Sequence, residues 1–238
     1  IIALCEQIVK QWESRGAVIL GDLEGEGVGP EGELVSAAFQ RSLAIDPKSM
    51  RPLLSGGVSR EMGLLLDFRC EAAVAIVRRI MESEDLCKAI WGADGDVAAL
   101  RYAPATSPLG VRSANVLDAQ LAFSSAGRRL AMATMLARLP SKFVAGLPEK
   151  ATAAGVNFEA SHSRHCRAFE LPLGQQMATY AADDLHRLEA VLLSQKPPSG
   201  GSYLQARSRS AAIVAGILRS PESLAQHRLD RYARTMRG

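Results

Sequence analysis

VILGDLEGEGVG, Val18 to Gly29, is the stretch on which the reading of this chain turns. Three apolar residues run into a turn that holds Asp22, Glu24 and Glu26 among four glycines. Such a turn serves one of two chemistries. If it cradled a phosphate directly, backbone N–H groups would bind the anion and the carboxylates would repel it. If it holds metal, the carboxylates are its purpose. The stretch lacks G-x-x-x-x-G-K-[ST], Gly25, Gly27 and Gly29 do not give G-x-G-x-x-G, and no lysine follows the turn to neutralise a phosphate. Its positive feature is Asp22-x-Glu24 at the carboxyl end of an apolar strand, where period-two alternation puts both side chains on one face. Two carboxylates held there repel one another unless a cation sits between them. An exposed acidic turn is the plain alternative.

The chain around this stretch has 238 residues, 47% of them hydrophobic, enough for one sizeable core or for a domain with an appendage. No run of eighteen apolar residues is present, so no membrane-spanning helix is expected, and the opening residues, which start at Ile1 rather than Met, carry no signal-peptide pattern. Cys5, Cys70, Cys87 and Cys166 lie far apart without a C-x-x-C pair, which argues against a disulfide framework or a zinc knuckle and for a reducing, intracellular compartment. The organelle is left open. From Pro197 onward seven arginines stand against Glu222 and Asp230, a net +5 that leaves −2 for the remainder of a chain whose total is +3. A basic tail beside a mildly acidic body suggests a polyanionic partner, with a solvated helical face as the blander reading.

Residues 3 to 14 place Leu4, Ile8, Val9 and Trp12 at helical spacing and predict a helix leading into a strand over Ala17 to Leu23. Glu33 to Phe39 and Gly63 to Phe68 are further strands, and no long helix separates these three. The order then changes: Glu71 to Glu82 reads as an amphipathic helix, Cys87 to Trp91 as a strand and Asp94 to Tyr102 as a helix. A meander followed by alternation implies an α/β or α+β fold with a mixed sheet covered by helices. From Asn115 the pattern turns helical, over Leu117 to Phe123, Arg128 to Leu139, Leu173 to Gln195 and two basic helices near the end. SQKPPSGGS, Ser194 to Ser202, reads as a linker and divides residues 1–194 from a basic helical extension over 195–238.

Two further acidic positions accompany Asp22 and Glu24. In TYAADDLHRLEAVLL, Thr179 to Leu193, Ala178, Ala181, Leu185, Leu188 and Leu192 share one apolar helix face. Asp184 lies at the margin of that stripe with Tyr180 one turn before it, whereas Asp183 is expected to point toward solvent. In KAIWGADGDVAALRY, Lys88 to Tyr102, Asp94 is explained as a helix N-cap, and Asp96 leads an apolar run without an obvious capping role. HSRHC, His162 to Cys166, offers ligand types in a single cluster, short of a zinc site. His186 reads as a surface histidine, and Met132, Met135 and Met177 as core.

Taken together these segments resemble the 3′–5′ exonucleases with four acidic ligands and a tyrosine, the DEDDy group that includes ribonuclease D and the Werner-type exonuclease domain. The resemblance runs from about Ala17 to Leu193. GDLEGEGVGPEGELVSAAFQ is similar to the first motif, a D-x-E strand and a hairpin to a second strand. KAIWGADGDVAAL is similar to the second, with Asp96 as third acid, and NVLDAQLAF resembles the Asp-Thr-Gln segment after it. YAADDLHRLEAVL looks like Tyr-x-x-x-Asp, carried by Tyr180 and Asp184.

The resemblance implies a ribonuclease H-like mixed sheet and two-metal phosphodiester hydrolysis. It implies that Asp22, Glu24 and Asp184 hold one divalent ion, and that Asp22 bridges to a second ion supported by Asp96 through water. Two ions about 4 Å apart suit in-line attack and a leaving 3′ oxygen, and all-oxygen ligands suit magnesium or manganese. Tyr180 is expected to orient the attacking water without ionising, its ordinary pKa being about 10. The implied partner is a single-stranded 3′ end, RNA before DNA because the likeness is to ribonuclease D. Trp91 stands where many members have histidine or asparagine, as core filling or a base-stacking platform. Arg164 and Arg167 are candidates for a basic rim, and Arg207 and Arg209 for phosphate contacts of the tail, whose helices also suit docking into a larger complex. The alternative function is a catalytically silent member of the fold kept as an RNA-binding or scaffold subunit.

Overall fold

The computed structural model describes residues 1–26, 28–30, 32–42, 46, 62–103, 107–123, 129–147, 175–194, 203–220 and 222. Helix α1 (Ile2–Arg15) leads into β1 (Val18–Glu26), β2 (Glu33–Ser42) and β3 (Leu64–Asp67). Then come α2 (Glu71–Glu82), β4 (Cys87–Ile90), α3 (Asp94–Tyr102), β5 (Val116–Asp118) and α4 (Ala119–Ala122). Helices α5 (Met132–Leu136), α6 (Ser141–Val144), α7 (Gln175–Leu193) and α8 (Tyr203–Arg219) complete the described chain. The sheet order is β3-β2-β1-β4-β5. The β1–β2 and β2–β3 pairs are antiparallel, and β1–β4 and β4–β5 are parallel. The mixed sheet with flanking helices is therefore as the sequence predicts.

Alternation along β1 sorts its side chains between two cores. Ile19 and Leu23 enter the one built with α1, α2 and α3, whereas Val18 and Leu20 enter the one built with α4 and α7. Asp22 and Glu24 continue the Val18 and Leu20 phase, so the strand aims both carboxylates at α7. Beyond Glu24 the register with β2 shifts, which places Gly25 against Leu34. A Cβ built at Gly25 would lie 2.0 Å from the backbone oxygen of Glu33, a contact no rotamer relieves. Gly25→Ala is expected to unpair this end of the hairpin at a cost of about 1–3 kcal/mol. Urea unfolding measures it, and native stability in the variant would refute the close approach.

Two predicted helices are corrected. Leu117 to Phe123 is not one helix: Val116–Asp118 form β5, parallel to β4, and only Ala119–Ala122 are helical. Leu117 and Leu121 stand at helical spacing, but pairing with β4 claims the first three residues of the run. Arg128 to Leu139 likewise shortens to Met132–Leu136, with Arg129 and Leu130 outside the helix. Pro140 then precedes the separate turn of α6.

Helix α8 packs across β5, α3 and α4. It buries Tyr203, Ala206, Ser210, Val214 and Ile217. The Tyr203 hydroxyl donates to the Leu192 carbonyl at the end of α7 (2.9 Å), and the Tyr102 hydroxyl donates to the Ile217 carbonyl (2.6 Å). The Asp118 amide of β5, the edge strand, donates to the Ser210 hydroxyl at 2.8 Å, so a side chain of α8 satisfies one backbone donor of that strand. The last predicted basic helix lies outside the described residues, as do Cys166 and most of the predicted linker; Cys5, Cys70 and Cys87 are not in disulfides. No helix among the described residues is long and apolar enough to cross a membrane.

Candidate metal centre

Asp22 and Glu24 on β1 meet Asp184 on α7, and one carboxylate oxygen from each lies within 4.8 Å of the others. The strand supplies two acids through alternation, and the helix supplies the third from the margin of its apolar face. Tyr180, one turn earlier on α7, donates its hydroxyl to the Asp184 carboxylate. Burial raises the Tyr180 pKa, and the nearby charges of Glu24, Asp184 and Asp22 raise it further, so the phenol keeps its proton at neutral pH.

Asp96 enters from the first turn of α3 and is 8% exposed. Burial first, and then the charge of Asp22, push its carboxyl well above the usual carboxylate range. The two groups therefore feel one another, although Asp96 is outside the closest trio. Asp94 is not the N-cap that the sequence suggests; Ala93 holds that position, and Asp94 is the first helical residue. Its carboxylate is turned instead toward Arg129, 3.1 Å away.

The sequence reading missed this guanidinium and its second partner. Arg129 Nη1 lies 3.1 Å from Asp94 Oδ1, 3.1 Å from Asp118 Oδ2 and 3.2 Å from Gln120 Oε1. All three charged side chains are 7% exposed or less. Asp118 Oδ1 also accepts the Gly92 and Gln120 amides, each at 3.0 Å. Gly92 sits at φ 76°, a left-handed turn that directs its N–H at Asp118 and that a side chain would strain. Burial outweighs the pull of Arg129 and raises the Asp118 pKa to about 6. The NVLDAQLAF segment carried a signal for Asp118; a lone arginine beyond a short helix carried none.

Other predicted residues fall in different surroundings. Asp183, expected in solvent, is 4% exposed and lines a groove with Gln40 and Leu65 of the sheet and Gly146 after α6, so the far flank of α7 is covered as well. His186 lines the same groove and is half-buried. Met135 and Met177 are core, with Met132 packed against it. Trp91 is half-buried at the end of β4, its ring 6.0 Å from that of Phe123, and its indole N–H is enclosed without a hydrogen-bond partner. Arg207 donates to Asn115 Oδ1 at 2.6 Å and Arg209 donates to the Leu121 carbonyl, so both tie α8 to the body. Arg164, Arg167 and the rest of His162 to Cys166 lie outside the described residues.

The mixed sheet and its flanking helices share their fold with solved ribonuclease D structures. RNase D from Trypanosoma brucei superposes with a TM-score of 0.65 at 17% identity, over 92% of this chain and 71% of its own. The same enzyme solved in complex with RNA U12 gives 0.62 at 17% identity, over 92% of this chain and 68% of its own. The catalytic core of RRP6 from Trypanosoma brucei gives 0.51 at 15% identity, over 94% of this chain and 50% of its own. By sequence, no protein-family model matches the chain, and no curated protein does.

Proposed function

We propose that this protein is a metal-dependent 3′–5′ exonuclease that trims single-stranded RNA from its free 3′ end and releases nucleoside monophosphates. The observation that carries the reading is the convergence of Asp22, Glu24 and Asp184 to within 4.8 Å on a fold shared with RNase D. Three carboxylates this close repel one another, and an all-oxygen set relieves that repulsion best with a hard divalent cation. The residues fit magnesium or manganese: Asp22, Glu24 and Asp184 would hold one ion, and Asp96 would support a second beside Asp22. Such ions, when bound, would supply a nucleophile at neutral pH and neutralise the leaving 3′ oxygen.

The protein's own groups do the rest. Tyr180 holds its proton, and its hydroxyl, anchored beside Asp184, orients the attacking water. Alternation along β1 and the packing of α7 fix the carboxylates before substrate arrives, which spares reorganisation during reaction. The RNA complex of Trypanosoma brucei RNase D supports RNA as the substrate.

The test is degradation of a 5′-labelled single-stranded RNA and its DNA twin in magnesium, in manganese and in chelator. A ladder shortening from the 3′ end, present only with metal and faster on RNA, is expected. RNA that is bound yet unshortened by folded protein in every condition would favour a silent RNA-binding or scaffold subunit.

A further inference from the structure

We propose that Arg129 is a positioning residue for the second divalent ion: it holds Asp94 and Asp118 to itself, and so keeps Asp96 the only carboxylate of α3 that faces the metal trio. The inference deepens the exonuclease reading and rests on it. Its starting point is a concentration of negative charge. Asp94, Asp96 and Asp118 are 6%, 8% and 3% exposed, and the charges of Asp94, Asp118 and Asp22 all act on Asp96. Carboxylates packed so closely and so far from water need a cation, and any that lack one become an alternative site for a divalent ion.

Arg129 answers this demand asymmetrically. A single Nη1 serves Asp94 on α3, Asp118 on β5 and Gln120 on α4. Gln120 is in turn fixed by donating its Nε2 to the Leu130 carbonyl at 2.8 Å, which anchors the strap from which Arg129 reaches inward. The described contacts of Arg129 Nη1 are with Asp94, Asp118 and Gln120, while Asp96 feels the charge of Asp22 across the site. Arg129 thus removes two carboxylates from competition and leaves the third available. By joining the first turn of α3 to the end of β5, it also sets the direction from which Asp96 approaches Asp22. A guanidinium suits this buried role better than an ammonium, because burial lowers an ammonium's pKa whereas the guanidinium stays charged.

The experiment is Mn2+ binding to the full chain, measured by calorimetry and by the electron paramagnetic resonance signal of free Mn2+, with no nucleic acid present. The native protein is expected to bind two ions of unequal affinity. In Arg129→Met the tighter site is expected to be unchanged, and the weaker one to lose about tenfold in affinity. Arg129→Lys keeps a cation of shorter reach and is expected to fall between the two in Mn2+ affinity and, in a separate assay on RNA, to lower kcat with KM unchanged; it also guards against a methionine variant that fails to fold. Weaker-site affinity at the native value in both variants, or equal weakening of both sites alongside a lower melting temperature, would overturn the inference. A native protein that binds no Mn2+ would instead defeat the exonuclease reading beneath it.

Discussion

Asp22→Ala and Asp184→Asn are each expected to lower turnover on RNA at least about a thousandfold, roughly 4 kcal/mol in the barrier. Asp22 belongs to the close trio and its charge also acts on Asp96, so under the proposed mechanism its removal would weaken the hold on both ions. Asp184→Asn is nearly isosteric and takes away one negative charge while leaving an oxygen in place. In chelator both substitutions are expected to raise the melting temperature, because each relieves repulsion among carboxylates that have no cation between them. Loss of activity with a raised melting temperature separates a role in chemistry from collapse of the site. Activity within tenfold of native for both variants would remove the trio from the mechanism.

Lys88→Met is expected to stabilise the protein at pH 7 by on the order of 3 kcal/mol. Lys88 is fully buried on β4, and its ammonium donates to the Ser83 carbonyl beyond α2. Burial lowers its pKa from the ordinary 10.5 to about 7. Between these two values the unfolded chain holds a proton that the native state lacks, so stability rises with pH from about 7 to 10.5 and is lowest below pH 7. Methionine abolishes the cost of enclosing the charge and forfeits one hydrogen bond worth about 1 kcal/mol. Urea titrations of both proteins from pH 6 to 10 read the difference directly. A gap that stays constant across this range would show that Lys88 does not titrate on folding.

The elements that alternate or repeat cleanly could be read in advance. Helices α2 and α3 begin and end where their apolar spacing places them, and β1 was recognisable from Val18, Ile19 and Leu20 running into acids. Asp184 was found because the angle around α7 set it beside the core, a property of one helix alone. Asp183 was misplaced by the same reasoning, since what covers the far flank of α7 comes from elsewhere in the chain. Strand β5 is three residues long, too short for a period to declare itself, and Leu117 with Leu121 imitates a helix. Arg129 was invisible for a related reason: its partners sit 35 and 9 residues away, and only the fold brings Asp94 and Gln120 to it. What the sequence conveys is geometry local to an element; buried charge pairing between elements needs the tertiary structure.

The packing of α8 on β5, with the Ser210 hydroxyl accepting the Asp118 amide, has a consequence for how the chain is made. Ser210 lies 92 residues after Asp118, and at a synthesis rate of about 5–20 residues per second the ribosome needs roughly 5 to 20 seconds to deliver it. Throughout that interval a nascent sheet offers an unsatisfied strand edge, the surface on which chains of the same kind pair wrongly and on which chaperones act. The late helix therefore acts as a seal on the newborn molecule, and the sheet edge stays open until α8 has followed Asp184 and the rest of α7 out of the ribosome.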